Sequence, residues 1–404
     1  MSIIESINNR REWLDFLLYK QNNDSLTKSE ENKLKDFIDG ERYRYYYELI
    51  KRSEFPTDFP HKIIVNKEGT SKKRVVYSFD DEENIVLKFI AFNLYKFDEI
   101  FSDSCYSFRR GYGVRDAVRK LRGNKSYGEK YCFKADISNY FNSIDVGLLL
   151  EKLTFIREDD TELYKLFSHI LLEDRVYEDG KVVSENHGAM AGMPCSPFFA
   201  NVYLAHMDKC FEDMGVKYFR YSDDILIFAD SKEELDKLIG FFYEKINENR
   251  LSINQSKVTV TEPGQSFEFL GFSYDDGNID LSANTVRKLK AKIKRKAEAL
   301  RRWQRSKGLT ADKAAIGFIN AMNRKFYGGS DKAWDEDDFT WCRWFFPNIT
   351  TDRTLREIDD YMQQYIRYIV TGRHYKGNYR ITYEQIKAWG YRNLVHEYYQ
   401  WRNK

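Results

Sequence analysis

Val216-Lys217-Tyr218-Phe219-Arg220-Tyr221-Ser222-Asp223-Asp224-Ile225-Leu226-Ile227-Phe228-Ala229 is the stretch on which the reading of this chain turns. Its two arms are β-branched, aromatic and aliphatic, with no Pro and no Gly. That composition predicts two strands, with the polar residues between them forming a tight turn. The expected element is a β-hairpin carrying two adjacent carboxylates at its tip. On a regular strand neighbouring side chains point to opposite faces, whereas a turn can bring both toward one cleft. Two carboxylates with nothing basic beside them repel unless a cation lies between them. The hard, oxygen-seeking cation is Mg²⁺. Asp and Ser are also ordinary turn residues, so a solvated hairpin tip is the competing reading. A third ligand and contacts for a substrate must come from elsewhere in the chain.

The chain has 404 residues, enough for two or three domains. At 42% hydrophobic residues it is too apolar for a disordered chain. Charged residues make up 32%, but the net charge is only +2, so any nucleic-acid surface must be a local patch. No apolar run reaches membrane-spanning length and the N-terminus has no signal-peptide pattern, which predicts a cytoplasmic protein without a membrane partner. Cys105, Cys132, Cys195, Cys210 and Cys342 are widely spaced, against both a disulfide framework and a zinc site.

Working upstream, Gly188-Ala189-Met190-Ala191-Gly192-Met193-Pro194-Cys195-Ser196-Pro197 is a Gly- and Pro-rich loop that opens a long apolar helix. Tyr131-Cys132-Phe133-Lys134-Ala135-Asp136-Ile137 reads as a strand ending in a lone acid, with a simple helix N-cap as the alternative role for Asp136. From Arg109 to Lys130 there are eight Lys/Arg against two acids, suited to a phosphate backbone or to a solvated helix face. His61 to Val65 and Lys72 to Tyr77 read as two strands joined by a polar, basic loop. Residues up to about 60 read as helical, with a boundary at Phe55-Pro56 and Phe59-Pro60.

Downstream, a helix at 231–249 and a strand at 258–261 follow. Phe267-Glu268-Phe269-Leu270-Gly271-Phe272 reads as one compact strand. From Val286 to Lys307 there are eleven Lys/Arg and one acid, with Val286, Leu289, Ile293, Ala297, Leu300 and Trp303 at helical spacing. One face is expected to dock on protein and the others to meet a nucleic-acid backbone, because acids that would pair the bases are missing. The remaining residues read as helical and aromatic, with an acidic patch at Asp331, Asp335, Glu336, Asp337 and Asp338.

Asp136, Asp223 and Asp224 together suit two metal ions that activate a 3′-hydroxyl and stabilise departing pyrophosphate. At this point an ordered series from about Lys62 to Phe272 resembles the prokaryotic reverse transcriptases that include group II intron and retron enzymes. Asn66 to Val76 is similar to their fingers hairpin, with Lys67 and Arg74 as the triphosphate grip. Ser104 to Val118 resembles the next fingers block, implying primer or template contacts at Arg109 and Arg110. Phe133 to Phe141 resembles the palm block with the first metal aspartate, Asp136, and implies Ile137 as a further metal ligand. Gly192-x-Pro194-x-Ser196-Pro197, followed by Ala200-Asn201, resembles the block under the template and new base pair, which implicates Gly192, Pro194 and Ser196. Tyr221 to Asp224 resembles the Tyr-x-Asp-Asp block. Leu251-x-Ile253-Asn254-x-x-Lys257 resembles the block whose lysine protonates pyrophosphate, and Phe269-Leu270-Gly271 resembles the primer grip.

The resemblance implies an α+β right-hand polymerase. Its expected parts are an N-terminal helical segment (1–60), fingers (61–130), a palm with antiparallel sheet (131–280, with a fingers insertion at about 150–190) and a helical thumb and extension (281–404). It implies two Mg²⁺ ions, dNTP substrates, an RNA template and a cDNA product, with Lys288, Lys292 and Arg295 on the template or primer. Phe141, five residues after Asp136, stands where these enzymes carry an aromatic steric gate against a ribose 2′-hydroxyl. Ala191 departs from the usual Gln. The chain is short for a group II intron protein, and the retron marker Asn-Ala-x-x-His is absent: Asn320-Ala321 lacks the His. Cys342 to Pro347 and Trp389 to Leu394 resemble defence-associated reverse transcriptases, implying antiphage defence and a cognate noncoding RNA. The alternatives are a retron-type enzyme, a template-independent or protein-primed polymerase, and a catalytically idle RNA-binding protein.

Overall fold

The computed structural model describes residues 2–23, 26–66, 73–328, 340–374 and 376–403. Lys67 and the acidic patch from Asp331 to Asp338 lie outside the described residues. The chain parts into two compact units that divide between Pro263 and Gly264.

The first unit is mixed helix and sheet. Its strands are β1 (His61–Asn66), β2 (Lys73–Ser78), β3 (Tyr131–Asp136), β4 (Arg175–Glu178), β5 (Lys181–Ser184), β6 (Lys217–Tyr221), β7 (Asp224–Ala229) and β8 (Thr259–Thr261). They form two four-stranded sheets, ordered β2-β1-β4-β5 and β6-β7-β3-β8. The second sheet is antiparallel throughout. The helices Ser196–Asp213 and Lys232–Glu248 follow a Pro-containing first turn and a Ser231 cap, respectively. The apolar faces of both helices and the sheet share one core, reaching from Phe133, Ile225 and Phe242 to Trp13 and Phe89. Trp13 stacks on Phe89 with ring centroids 4.0 Å apart, and its indole N–H donates to the Ile7 carbonyl at 2.8 Å. The Pro56 to Pro60 turn therefore joins the N-terminal helices to the rest without interrupting the core.

The second unit begins with three antiparallel strands, β9 (Phe267–Phe269), β10 (Phe272–Asp275) and β11 (Asn278–Leu281). Phe267 to Phe272 is thus not one strand. Leu270 and Gly271 take φ of 52° and 88°, so Phe269 pairs directly across to Phe272. Two consecutive left-handed residues make the two-residue turn that suits strand twist, and Gly271 supplies one at no cost. The basic helix Ala283–Lys307 is capped by Ser282 and stopped by left-handed Gly308. It buries Val286, Leu289, Ile293 and Ala297 against helices Ala311–Tyr327 and Arg353–Thr371. The expected apolar stripe ends early, since Trp303 is 48% exposed. Its bases also find tertiary partners that spacing along one helix does not reveal: Lys290 pairs with Glu357 at 2.6 Å, and Arg301 lies over the Tyr368 ring. No described helix is long and apolar enough to cross a membrane.

Candidate active site

The Tyr-Ser-Asp-Asp stretch forms the expected hairpin. Tyr221 closes β6, Asp224 opens β7 and the two are cross-strand partners. Ser222 takes a left-handed φ of 59°. Asp224 is also directly opposite Asp136, the last residue of β3, so their side chains share one face of the sheet. The Ile137 N–H donates to the Asp223 carbonyl at 3.1 Å, fixing the turn against the end of β3. Asp136 thereby meets the adjacent pair Asp223 and Asp224, far along the chain, at one end of the sheet.

The segment bearing Lys257 is fastened to the same edge. Ser138 N–H donates to Ser252 O at 2.8 Å and Asn254 N–H to Asp136 O at 2.9 Å. The Lys257 ammonium contacts the Asp136 carboxylate, with the lysine 44% exposed and the aspartate nearly enclosed. Burial pushes the Asp224 carboxyl up to about 6, and Lys134, two residues before Asp136, opposes the rise. Burial and the charge of Asp136 also push Asp223 upward.

Among the described residues no three His, Cys, Asp or Glu side chains already converge as a metal cage. The three carboxylates border one edge, with Asp136 turned to Lys257. The donor set is nonetheless all oxygen, three carboxylates, and the charge of Asp136, which pushes Asp223 and Asp224 upward, favours an added cation. That chemistry fits a hard divalent ion.

A buried polar network supports the turn from beneath. Arg220, fully enclosed, forks onto Asp208, which also accepts from Tyr218 OH at 2.8 Å. The Arg220 guanidinium reaches the Ser222 carbonyl at 3.3 Å and Asn201 Oδ1 at 3.4 Å. Ser222 N–H donates to Ser107 Oγ at 2.9 Å, and Asn201 Nδ2 donates to Ser107 O at 2.7 Å. Sequence reasoning missed this network. Its signal was an arginine inside an apolar strand, which must find a buried acid.

Phe141 lies in the short helix Tyr140–Ser143 just beyond Asp136. Its ring meets Phe108 edge-on at 6.0 Å, and Phe108 in turn lies 6.3 Å from Tyr221. Phe108, with φ of 56°, was another omission. Gly192 is required by a close approach: a Cβ there would fall 2.9 Å from the Tyr77 carbonyl. Arg74 is exposed on β2, opposite Val65.

Some of the other expected contacts turn inward. Arg109 does not face a phosphate backbone: its guanidinium is buried, paired with Asp98 at 3.0 Å and donating to Ser102 O and Cys105 O. Arg110 is exposed, yet its guanidinium lies over the rings of Tyr19, Phe92 and Tyr95 and donates to Phe92 O. Ser196 is fully buried and its hydroxyl donates to the Ala189 and Met190 carbonyls. Pro194 borders an apolar cavity with Phe108, Pro197 and Phe198. In the second unit Phe269 is buried within its sheet, Arg295 is exposed, and Lys288 and Lys292 are half-buried.

The family model for reverse transcriptases (RNA-dependent DNA polymerases) matches residues 65–274, just over half of the chain. The chain belongs to the reverse transcriptase family. Retron Se72 reverse transcriptase of Salmonella heidelberg is 28% identical over 162 residues, covering 35% of this chain and 43% of its own length. Retron Ec86 reverse transcriptase of Escherichia coli is 20% identical over 256 residues, 62% of this chain and 74% of that one. The chain thus spans less than half of the first relative and about three quarters of the second. Telomerase from Candida albicans, solved with a fragment of telomeric RNA, aligns with 89% of this chain and 70% of its own at 12% identity and a TM-score of 0.44.

Proposed function

We propose that this reverse transcriptase extends a primer with deoxynucleotides on an RNA template, by two-metal phosphoryl transfer. The observation that carries the proposal is the Asp136–Asp224 cross-strand pair, with Asp223 in the adjoining turn and Lys257 on Asp136, inside the family-matched segment. Asp136, Asp223, Asp224 and the Ile137 carbonyl are the groups that would hold Mg²⁺. Bound there, Mg²⁺ would lower the pKa of the primer hydroxyl and offset charge on the leaving pyrophosphate. Lys257 Nζ holds the proton for that leaving group. Arg74, with Lys67, neutralises the triphosphate. The Phe141 ring occupies the space of a ribose 2′-hydroxyl and so selects deoxynucleotides.

The mixed helix-and-sheet first unit carries fingers and palm, with β6-β7-β3-β8 as the palm sheet, and the basic helix Ala283–Lys307 opens the thumb. A cognate noncoding RNA as template, a cDNA product and a role in antiphage defence complete the reading, in keeping with the resemblance of Cys342 to Pro347 and Trp389 to Leu394 to defence-associated reverse transcriptases. Primer extension on an RNA template with purified protein tests the reading. Asp223→Ala and Asp224→Ala are each expected to abolish incorporation, while RNA binding without incorporation by the unaltered protein would mark an idle binder.

A further inference from the structure

The gate residue Phe141 is held by contacts from several segments of the chain. The carbonyl of Phe141 accepts from Ala189 N–H at 2.8 Å. Gly188, at φ of 57°, presses so closely on this turn that a Cβ would fall 2.6 Å from that carbonyl. The Tyr140 hydroxyl anchors the turn to the Ala200 carbonyl. The ring itself rests edge-on against Phe108.

The next residue, Asn142, ties this turn to two further elements. Its Oδ1 accepts from Ala191 N–H at 2.9 Å, and its Nδ2 donates to the Val75 carbonyl at 3.4 Å. Ala191 O in turn accepts from Tyr77 N–H at 2.8 Å. One amide therefore links the gate turn, the Gly-rich loop and β2, and Val75 is the neighbour of Arg74. An amide suits this place because it offers an acceptor and a donor on one short, planar, uncharged group. Ala191 contributes only its backbone here.

We infer that Asn142 is a positioning residue that sets the depth of the Phe141 gate relative to the nucleotide-gripping strand, and so sets discrimination between deoxyribo- and ribonucleotides. The inference rests on the reading of Phe141 as the gate. Asn142 touches no reacting atom. It acts by holding the Phe141 turn against the loop while β2 carries Arg74, so that the ring and the triphosphate grip keep a fixed separation. Losing the bond to Ala191 loosens the turn on the loop, where the Ala189–Phe141 backbone bond still holds it, and losing the bond to Val75 frees it from β2; either change lets the ring shift relative to Arg74 and opens room for a 2′-hydroxyl.

The test is single-nucleotide incorporation of dNTP and rNTP by Asn142→Ala, Asn142→Asp and Phe141→Ala, with thermal unfolding of each. Asn142→Ala is expected to raise KM for dNTP and to lower the dNTP-over-rNTP preference by roughly fivefold to tenfold, with kcat for dNTP nearly kept. Asn142→Asp keeps the acceptor for Ala191 but loses the donor to Val75, so it should raise KM with a smaller loss of preference. If Phe141→Ala admits rNTP while Asn142→Ala leaves the preference unchanged, the positioning role is wrong and the gate stands. If Phe141→Ala leaves the preference unchanged, the gate reading falls and takes the inference with it. An Asn142→Ala protein that loses kcat and thermal stability together, at unchanged preference, shows a merely structural residue and also overturns it.

Discussion

Two buried carboxylates in this chain carry the same electrostatic signature and opposite meanings. Burial raises both Asp224, in the first unit, and Asp359, in the second, to about 6. Asp359 spends its oxygens on the fold: it accepts from the Tyr391 hydroxyl, from Leu394 N–H at 2.9 Å and from Val395 N–H at 3.0 Å. It thereby joins helix Arg353–Thr371 to the start of helix Leu394–Arg402. Asp224 has no donor paired with it among the described residues, and its neighbours include Asp223 and Asp136. A raised pKa alone therefore does not mark a functional carboxylate. The marker is a buried acid left without a hydrogen-bond donor while other acids stand beside it, even with Lys134 near enough to oppose them.

The sharpest way to break this contrast is a pair of substitutions. Asp224→Asn is expected to cut incorporation at least about a thousandfold while leaving the unfolding temperature unchanged or higher, since a repelling charge is removed. Asp359→Ala should do the reverse, costing about 3 kcal/mol in urea unfolding with kcat per folded molecule intact. Equal stability losses in the two variants would erase the distinction.

Lys257→Ala should lower kcat about a hundredfold with little change in KM, read by single-turnover extension. A pH comparison comes next. The folded pKa of Asp359 lies above its unfolded value, so the folded state binds the extra proton. Its contribution is fully present below the unfolded pKa near 4 and is lost as pH rises through about 6. Relative to Asp359→Asn, the unaltered protein should therefore lose about 1 kcal/mol of stability between pH 5 and pH 7. Smallest is the effect of cation: millimolar Mg²⁺ should raise the melting temperature of the unaltered protein and of Asp359→Asn by about 2 °C, and that of Asp224→Asn not at all.

The elements that position the acids were legible in the sequence for local reasons. β3 and the β6–β7 hairpin are short apolar runs bounded by polar residues, and their composition alone announces strands. The cross-strand pairing of Asp136 with Asp224 was not legible, because register is a tertiary property. The same limit explains the errors. Arg109 reads as a free base until Asp98 closes on it, and Lys290 until Glu357 does. The Leu270-Gly271 turn was hidden because aromatic residues flank it on both sides, and composition therefore resembled one continuous strand. Asn142 carries no motif, since its partners lie in distant segments, and Arg220 shows only that an acid is needed, not that it is Asp208.

The central claim is that Asp136, Asp223 and Asp224 hold the divalent cations of a template-directed polymerase. The most direct measurement is dNTP incorporation on a primed RNA template, titrated with Mg²⁺, for the purified protein and its Asp224→Asn variant. The account predicts saturable, Mg²⁺-dependent DNA synthesis by the first and none above background by the second at any Mg²⁺ concentration. Equal synthesis by both proteins would contradict it.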